Sequence, residues 1–145
     1  MPRAPFQVAI FPFHKNADRR SDEGYWQSIA GGGEDQETSL DAACRETWEE
    51  AGLPVTCRFY PLSTCASAPV IHFRERHHWD EKLFVIPIHY FGVDATDSEI
   101  HLSQEHSEYQ WVVVENGLEM LRWDSDKTAL WELEHILRSL NSNTD

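Results

Sequence analysis

Hydrophobic and polar positions along this chain alternate between blocks with the two-residue period of strands and blocks with the 3.6-residue period of helices. Residues 7–13, Gln-Val-Ala-Ile-Phe-Pro-Phe, read as an early strand, with Pro12 marking an edge or a bulge because proline cannot donate to a ladder. A polar, charged loop over 15–24 follows, then 25–30 and the run Gly31-Gly32-Gly33, which reads as a turn. From about 40 to 51 the period becomes helical. Thr38 and Asp41 have the spacing of a capping box, and Gly52 with Pro54 supplies the stop, so both ends of this helix are signalled. Residues 55–66, 83–93 and 109–114 are rich in β-branched and aromatic side chains and predict three more strands. Near the end, Ala129, Leu130, Leu133, Ile136, Leu137 and Leu140 make one stripe of a helix over 124–140, as expected of a helix packed over a sheet. Trp26, Trp111 and Trp131 read as core side chains. No repeat, linker or low-complexity stretch interrupts the pattern, and 145 residues suit a single domain over 1–145.

Composition narrows the function classes. With 41% hydrophobic and 26% charged residues, the chain is expected to fold rather than to stay disordered. No apolar run approaches the roughly 18 residues of a membrane span, and residues 1–5 lack the apolar segment of a secretory leader, so a cytoplasmic location is the expectation. Cys44, Cys57 and Cys65 are odd in number and in no ligand spacing, which favours reduced thiols over a disulfide framework. The eight histidines show no zinc-ligand spacing either. A formal net charge of −13 excludes long nucleic acids and anionic membranes as natural partners. A small polyphosphate stays admissible only where divalent cations reverse the local potential.

The helix over 40–51 carries the candidate chemistry. Taking Glu46 as zero on a wheel of about 100° per residue, Glu49 falls near 300° and Glu50 near 40°, so three carboxylates share one face. Leu40, Cys44, Thr47 and Ala51 cluster between about 100° and 160° and are expected to face the core, leaving the acidic face at the domain's edge. Like charges this close repel, and Arg45 offsets only part of the repulsion. Mg²⁺ compensates such a set well, taking carboxylate oxygens while it bridges to substrate phosphates. An ordinary solvated helix face is the competing reading. A second candidate patch lies over 69–82, where Arg74, Arg76, His78 and Trp79 mix basic and aromatic groups in an acidic protein. That composition fits both a grip on an anionic, ring-bearing ligand and a solvated surface loop.

The longer pattern decides between the readings of the helix. From Gly31 the sequence runs Gly31-x5-Glu37-x7-Arg45-Glu46-Thr47-x-Glu49-Glu50-x-Gly52-Leu53, eight fixed positions besides Thr47 in 23 residues (53 − 31 + 1). This resembles the box of the Nudix hydrolases. Thr47 departs from it, standing where the family usually carries an aliphatic residue. The flanks Tyr25-Trp26-Gln27-Ser28 and Glu105-His106-x-x-Tyr109-x-Trp111 are similar to the branch acting on dihydroneopterin triphosphate or deoxynucleoside triphosphates.

The resemblance implies an α/β/α sandwich around a mixed sheet and a Mg²⁺-dependent enzyme, with Mn²⁺ as a substitute, that cuts phosphoanhydride bonds in a small anionic substrate. Two strands usually precede the box, yet only residues 15–25 separate His14 from Trp26, so one early strand is expected to be short or missing. Carried over by position, Glu49 and Glu50 are metal ligands and Glu46 is a further ligand or the base. Arg45 orients Glu49, Glu37 anchors the loop through backbone N–H groups or Arg45, and Gly31 lets the backbone bend closely around the metal site. Glu105 is an alternative base and ligand; an exposed loop glutamate is the other reading of it. The leading reaction is conversion of a nucleoside or pterin triphosphate to monophosphate and pyrophosphate, by a monomer or homodimer. Dinucleoside polyphosphates and ADP-ribose are alternatives, Pro69 being a near miss for the proline that marks the latter branch, as is a silent nucleotide-binding domain, which usually loses box carboxylates that this chain keeps.

Overall fold

The computed structural model describes residues 3–14, 24–25, 29–101 and 114–142. Their sheet is mixed. Strand β1 (Arg3–His14) is its spine, pairing antiparallel with β2 (Gly24–Tyr25) and β3 (Ile29–Glu34), and in parallel with β5 (Val85–Asp94). Strand β4 (Phe59–Pro69) runs antiparallel to β5 on the far side.

Period-two alternation along β1 builds both layers. Val8 and Ile10 point to one side, where they meet Ala42, Ala43 and Ala51 of helix α1 (Ser39–Ala51) together with Ile29, Phe91 and Val93. Ala9, Phe11 and Phe13 point to the other, against Ala129, Leu130, Leu133 and Leu137 of helix α3 (Asp124–Ser142). A sheet with one helix on each face is the expected α/β/α sandwich. Helix α3 is also latched to β4: the Glu132 carboxylate accepts from the Ser63 and Thr64 backbone N–H groups and the Thr64 hydroxyl.

Several boundaries differ from the sequence reading. Strand β1 is internal rather than an edge, and Pro12 falls where β1 changes antiparallel partner, between Ile10↔Ile29 and Phe13↔Tyr25. The short early strand is β2, two residues long. The Gly31–Gly33 run lies inside β3 and is not a turn; the chain turns at Asp35 and Gln36, where Gln36 holds φ 74°. Residues 55–58 curl back, with the Cys57 N–H donating to the Pro54 carbonyl, so β4 starts only at Phe59. Residues 109–113 of the expected late strand lie outside the described set, but Val114 opens helix α2 (Val114–Met120), whose Leu118 packs into the α3 cluster. Trp131 is not a core residue: it is 55% exposed and stacks on His135.

Helix α1 itself starts and stops as its caps dictate. The Thr38 hydroxyl accepts from the Asp41 N–H, the Asp41 carboxylate accepts from the Thr38 N–H, and Gly52 closes the helix at φ 68°. Its buried side, however, is rotated from the one expected. Ala42, Ala43, Thr47 and Ala51 are buried while Leu40, in the first turn, is 44% exposed. Short alanine side chains bring the helix close to β3, which draws Glu46 under it instead of holding it at the edge. Thr47 is fully buried and its Oγ1 has no hydrogen-bond partner among the described residues. Thr47→Val keeps the shape and removes that desolvated hydroxyl, so urea denaturation is expected to show a gain of about 1 kcal/mol with unchanged turnover.

Candidate active site

Box residues converge on Arg45. Its Nε donates to Glu37 Oε2 at 2.9 Å and its Nη2 to Glu37 Oε1 at 3.0 Å, a bidentate pair, while Nη2 also reaches the Gly32 carbonyl at 2.7 Å. Its Nη1 serves Glu46 Oε1 at 2.9 Å and Glu49 Oε2 at 3.2 Å. Glu37 in turn accepts from the Glu34 N–H at 2.8 Å, so both expected roles of Glu37 are filled at once. Hydrogen bonding to Arg45 holds the Glu37 carboxyl below the usual carboxylate range, and its partnership with Glu37 raises the already high value of Arg45. Arg45 therefore stays charged and has no proton to give. Its task is to tie β3, the turn after it and α1 into one frame.

Glu46 and Glu49 leave that frame differently. The Glu46 side chain is only 14% exposed and that of Glu49 is 53% exposed, while Glu50 is half-buried beside them. Burial pushes the Glu46 carboxyl above the usual range, and Arg45 pulls part of the way back. The Glu46 carboxylate lies flat against Gly31: a β-carbon there would stand 2.1 Å from its Cδ and 2.4 and 2.5 Å from its oxygens. The absence of a side chain at Gly31 is what permits this close approach of Glu46.

Of these three carboxylates Glu46 reaches a cavity of about 740 Å³, lined by Arg3, Gly32, Glu34, Arg45, Glu46, Glu75 and His78. Of the segment expected to grip substrate, His78 alone reaches this lining. Arg74 is exposed, and Arg76 Nη1 donates to the Phe73 carbonyl at 3.2 Å. Trp79 is half-buried against Phe73, and its indole N–H donates to the Arg3 carbonyl at 2.8 Å, so it pins the two 3₁₀ turns, Val70–His72 and Arg74–His78, to the start of β1. Glu105 lies outside the described residues. Arg3, Glu34 and Glu75 were not singled out from the sequence. Arg3 enters only because the β1–β3 register sets it opposite Glu34, a long-range fact with no local signal.

No three ligating side chains among the described residues already converge on one point. The donor set nevertheless fits a hard divalent cation: Glu46, Glu49 and Glu50 supply carboxylate oxygens on neighbouring turns of one helix, and the half-buried Glu46 anion, kept in place by Gly31 and Arg45, calls for positive charge beside it. No helix among the described residues is long and apolar enough to cross a membrane.

Comparison with known proteins agrees with this geometry. The NUDIX domain model matches residues 13–131. A crystal structure of a NUDIX hydrolase from Listeria monocytogenes superposes with TM-score 0.78 at 38% identity, covering 94% of this chain and 96% of that one. A dihydroneopterin triphosphate diphosphatase from Haemophilus influenzae is 27% identical over 116 residues, 77% of this chain and 72% of its own length. The E. coli dihydroneopterin triphosphate pyrophosphohydrolase shares the fold, with TM-score 0.65 at 19% identity over 88% of this chain and 93% of that one. Box, frame and matched span together mean that this chain belongs to the Nudix hydrolases.

Proposed function

We propose that the protein converts a nucleoside or pterin triphosphate to its monophosphate and pyrophosphate, with Mg²⁺ as the cofactor and Mn²⁺ as a substitute. The observation that carries the reading is the Arg45 frame, which holds Glu46 beside Glu49 and sets Glu46 in the lining of a cavity that Arg3 and His78 share. Similarity to the Haemophilus diphosphatase over most of both chains supports a pterin triphosphate as the first compound to try.

Glu46, Glu49 and Glu50 are the side chains that would hold the metal, which on binding screens the phosphate charge and lowers the pKa of the attacking water. Water adds to one phosphorus of the anhydride that joins the monophosphate to the pyrophosphate, the bridging P–O bond breaks, and the fragment on its other side leaves with the bond's electron pair. A carboxylate takes the water's proton: Glu46 from its half-buried position, or Glu105 from outside the box. Glu49 contributes its open position: its side chain is 53% exposed, and Arg45 bonds its Oε2. His78 contacts the phosphate chain from the opposite wall. Arg74 and Arg76 add positive charge to the 3₁₀ turn that carries His78, and Trp79 keeps that turn in place.

Release of pyrophosphate against orthophosphate, measured across nucleoside and pterin triphosphates, dinucleoside polyphosphates and ADP-ribose with Mg²⁺, tests the reading. Pyrophosphate from a triphosphate is expected, with turnover at least tenfold lower in Glu49→Gln because one anionic ligand is lost. Orthophosphate alone, or turnover confined to ADP-ribose, would replace the proposal with the corresponding alternative.

A further inference from the structure

Arg45 is fully committed. Its N–H groups are taken up by Glu37, the Gly32 carbonyl, Glu46 and Glu49, so it has none to offer a ligand. The other arginine on the cavity wall is differently placed. Arg3 Nη2 donates to the Gln7 side chain and its guanidinium rests over the Phe73 ring, 5.4 Å from the centroid. Among the described residues no carboxylate lies within ion-pair distance of it, although Glu46 and Glu75 are close enough to act on it through space. Its Nε is buried without a partner. A half-buried guanidinium with one side-chain acceptor is an electrostatic deficit that an anion would repair.

The backbone is cleared for this side chain. A β-carbon at Gly32 would stand 1.6 Å from Arg3 Nε and 1.7 Å from its Cζ, so the guanidinium lies directly on the glycine. Gly32 is not one of the eight fixed positions of the box, and its lack of a side chain is explained by Arg3 alone. Below the same residue, the Gly32 carbonyl accepts from Arg45. One peptide thus spaces a committed arginine, tied to the carboxylates, from an uncommitted one that faces the cavity with His78.

We propose that Arg3, with His78 beside it, is an anion subsite for the part of the substrate's phosphate chain that the carboxylate face does not hold. This rests on the pyrophosphohydrolase reading of the same cavity and names its second phosphate-binding wall. The guanidinium donates paired N–H bonds to non-bridging oxygens, and Trp79, Phe73 and Gln7 fix its direction from behind. The ligand class follows: a chain of at least two phosphates, long enough to touch both walls.

Isothermal titration of wild type, Arg3→Ala and Arg3→Lys with a nucleoside α,β-methylene triphosphate and with inorganic tripolyphosphate, each in Mg²⁺, tests this without needing turnover. The expected result is binding of both probes by wild type, at least tenfold weaker binding by Arg3→Ala, and partial retention by Arg3→Lys. Mn²⁺ binding followed by electron paramagnetic resonance should be the same in all three. Equal affinity in wild type and Arg3→Ala, or no binding of either probe to wild type, overturns the subsite. If Arg3→Ala unfolds, Arg3→Lys decides: full affinity there overturns the need for a fork, and a severalfold loss with unchanged Mn²⁺ binding upholds it. Wild type that binds both probes through Arg3 yet hydrolyses no triphosphate would leave the subsite standing and overturn the proposed reaction instead.

Discussion

Replacing Arg45 by alanine is expected to lower turnover about 10³-fold and stability by about 3 kcal/mol, the largest combined effect of any single change in this protein. Five hydrogen bonds vanish together, and they join Glu37 after β3, the Gly32 carbonyl inside it, and Glu46 and Glu49 on α1. Three carboxylates would then lose their shared counter-charge, two of them, Glu37 and Glu46, largely buried. Arg45→Lys restores a charge but offers a point donor to acceptors on both sides of a planar fork, so most of the turnover should stay lost.

The pH dependence of stability gives an independent check. Hydrogen bonding to Arg45 depresses the Glu37 carboxyl in the folded state below its ordinary 4.5. A depressed carboxylate stabilises above the unfolded value and loses that contribution as pH falls through the folded one. Urea curves of wild type and Arg45→Ala should therefore be furthest apart near neutrality and draw together in acid. A constant gap between them, or turnover within tenfold of wild type, would mean that Arg45 does not organise the site.

How much of this was legible beforehand depended on distance along the chain. The helix, its Thr38–Asp41 cap, its Gly52 stop and the Arg45–Glu49 pair are encoded within a few residues of one another, where spacing alone specifies geometry. The α3 stripe was legible for the same reason. What local pattern could not give was register. The exposed Leu40 and the buried Ala42 and Ala43 reverse the simple hydrophobicity ranking, because closeness to the glycine-bearing strand selects small side chains over greasy ones. Pro12 looked like an edge residue, yet a strand that changes partner along its length leaves room for a proline in the middle of the sheet. Arg3 was invisible for a related reason. Its partners Gln7, Gly32, Phe73 and Trp79 come from β1, β3 and the 3₁₀ segment, and only the folded register assembles them.

Gly31→Ala is expected to separate catalysis from stability in a way that no change at Arg45 can. The added methyl would sit 2.1 Å from the Glu46 Cδ, far inside contact distance. The clashing group is the end of a flexible side chain rather than backbone, so Glu46 can swing away and the fold can persist, with the melting temperature close to that of wild type. Turnover should still fall by about 10²-fold, because the carboxylate leaves the position that Arg45 and the helix had set for it. The double variant Gly31→Ala with Glu46→Gln discriminates the cause. If the methyl acts only through Glu46, the second change adds little once the first is made, whereas independent effects would multiply. Full activity in Gly31→Ala would show that the placement of Glu46 is dispensable. The proton would then have to go to a carboxylate outside the box, and Glu105 would become the residue to test.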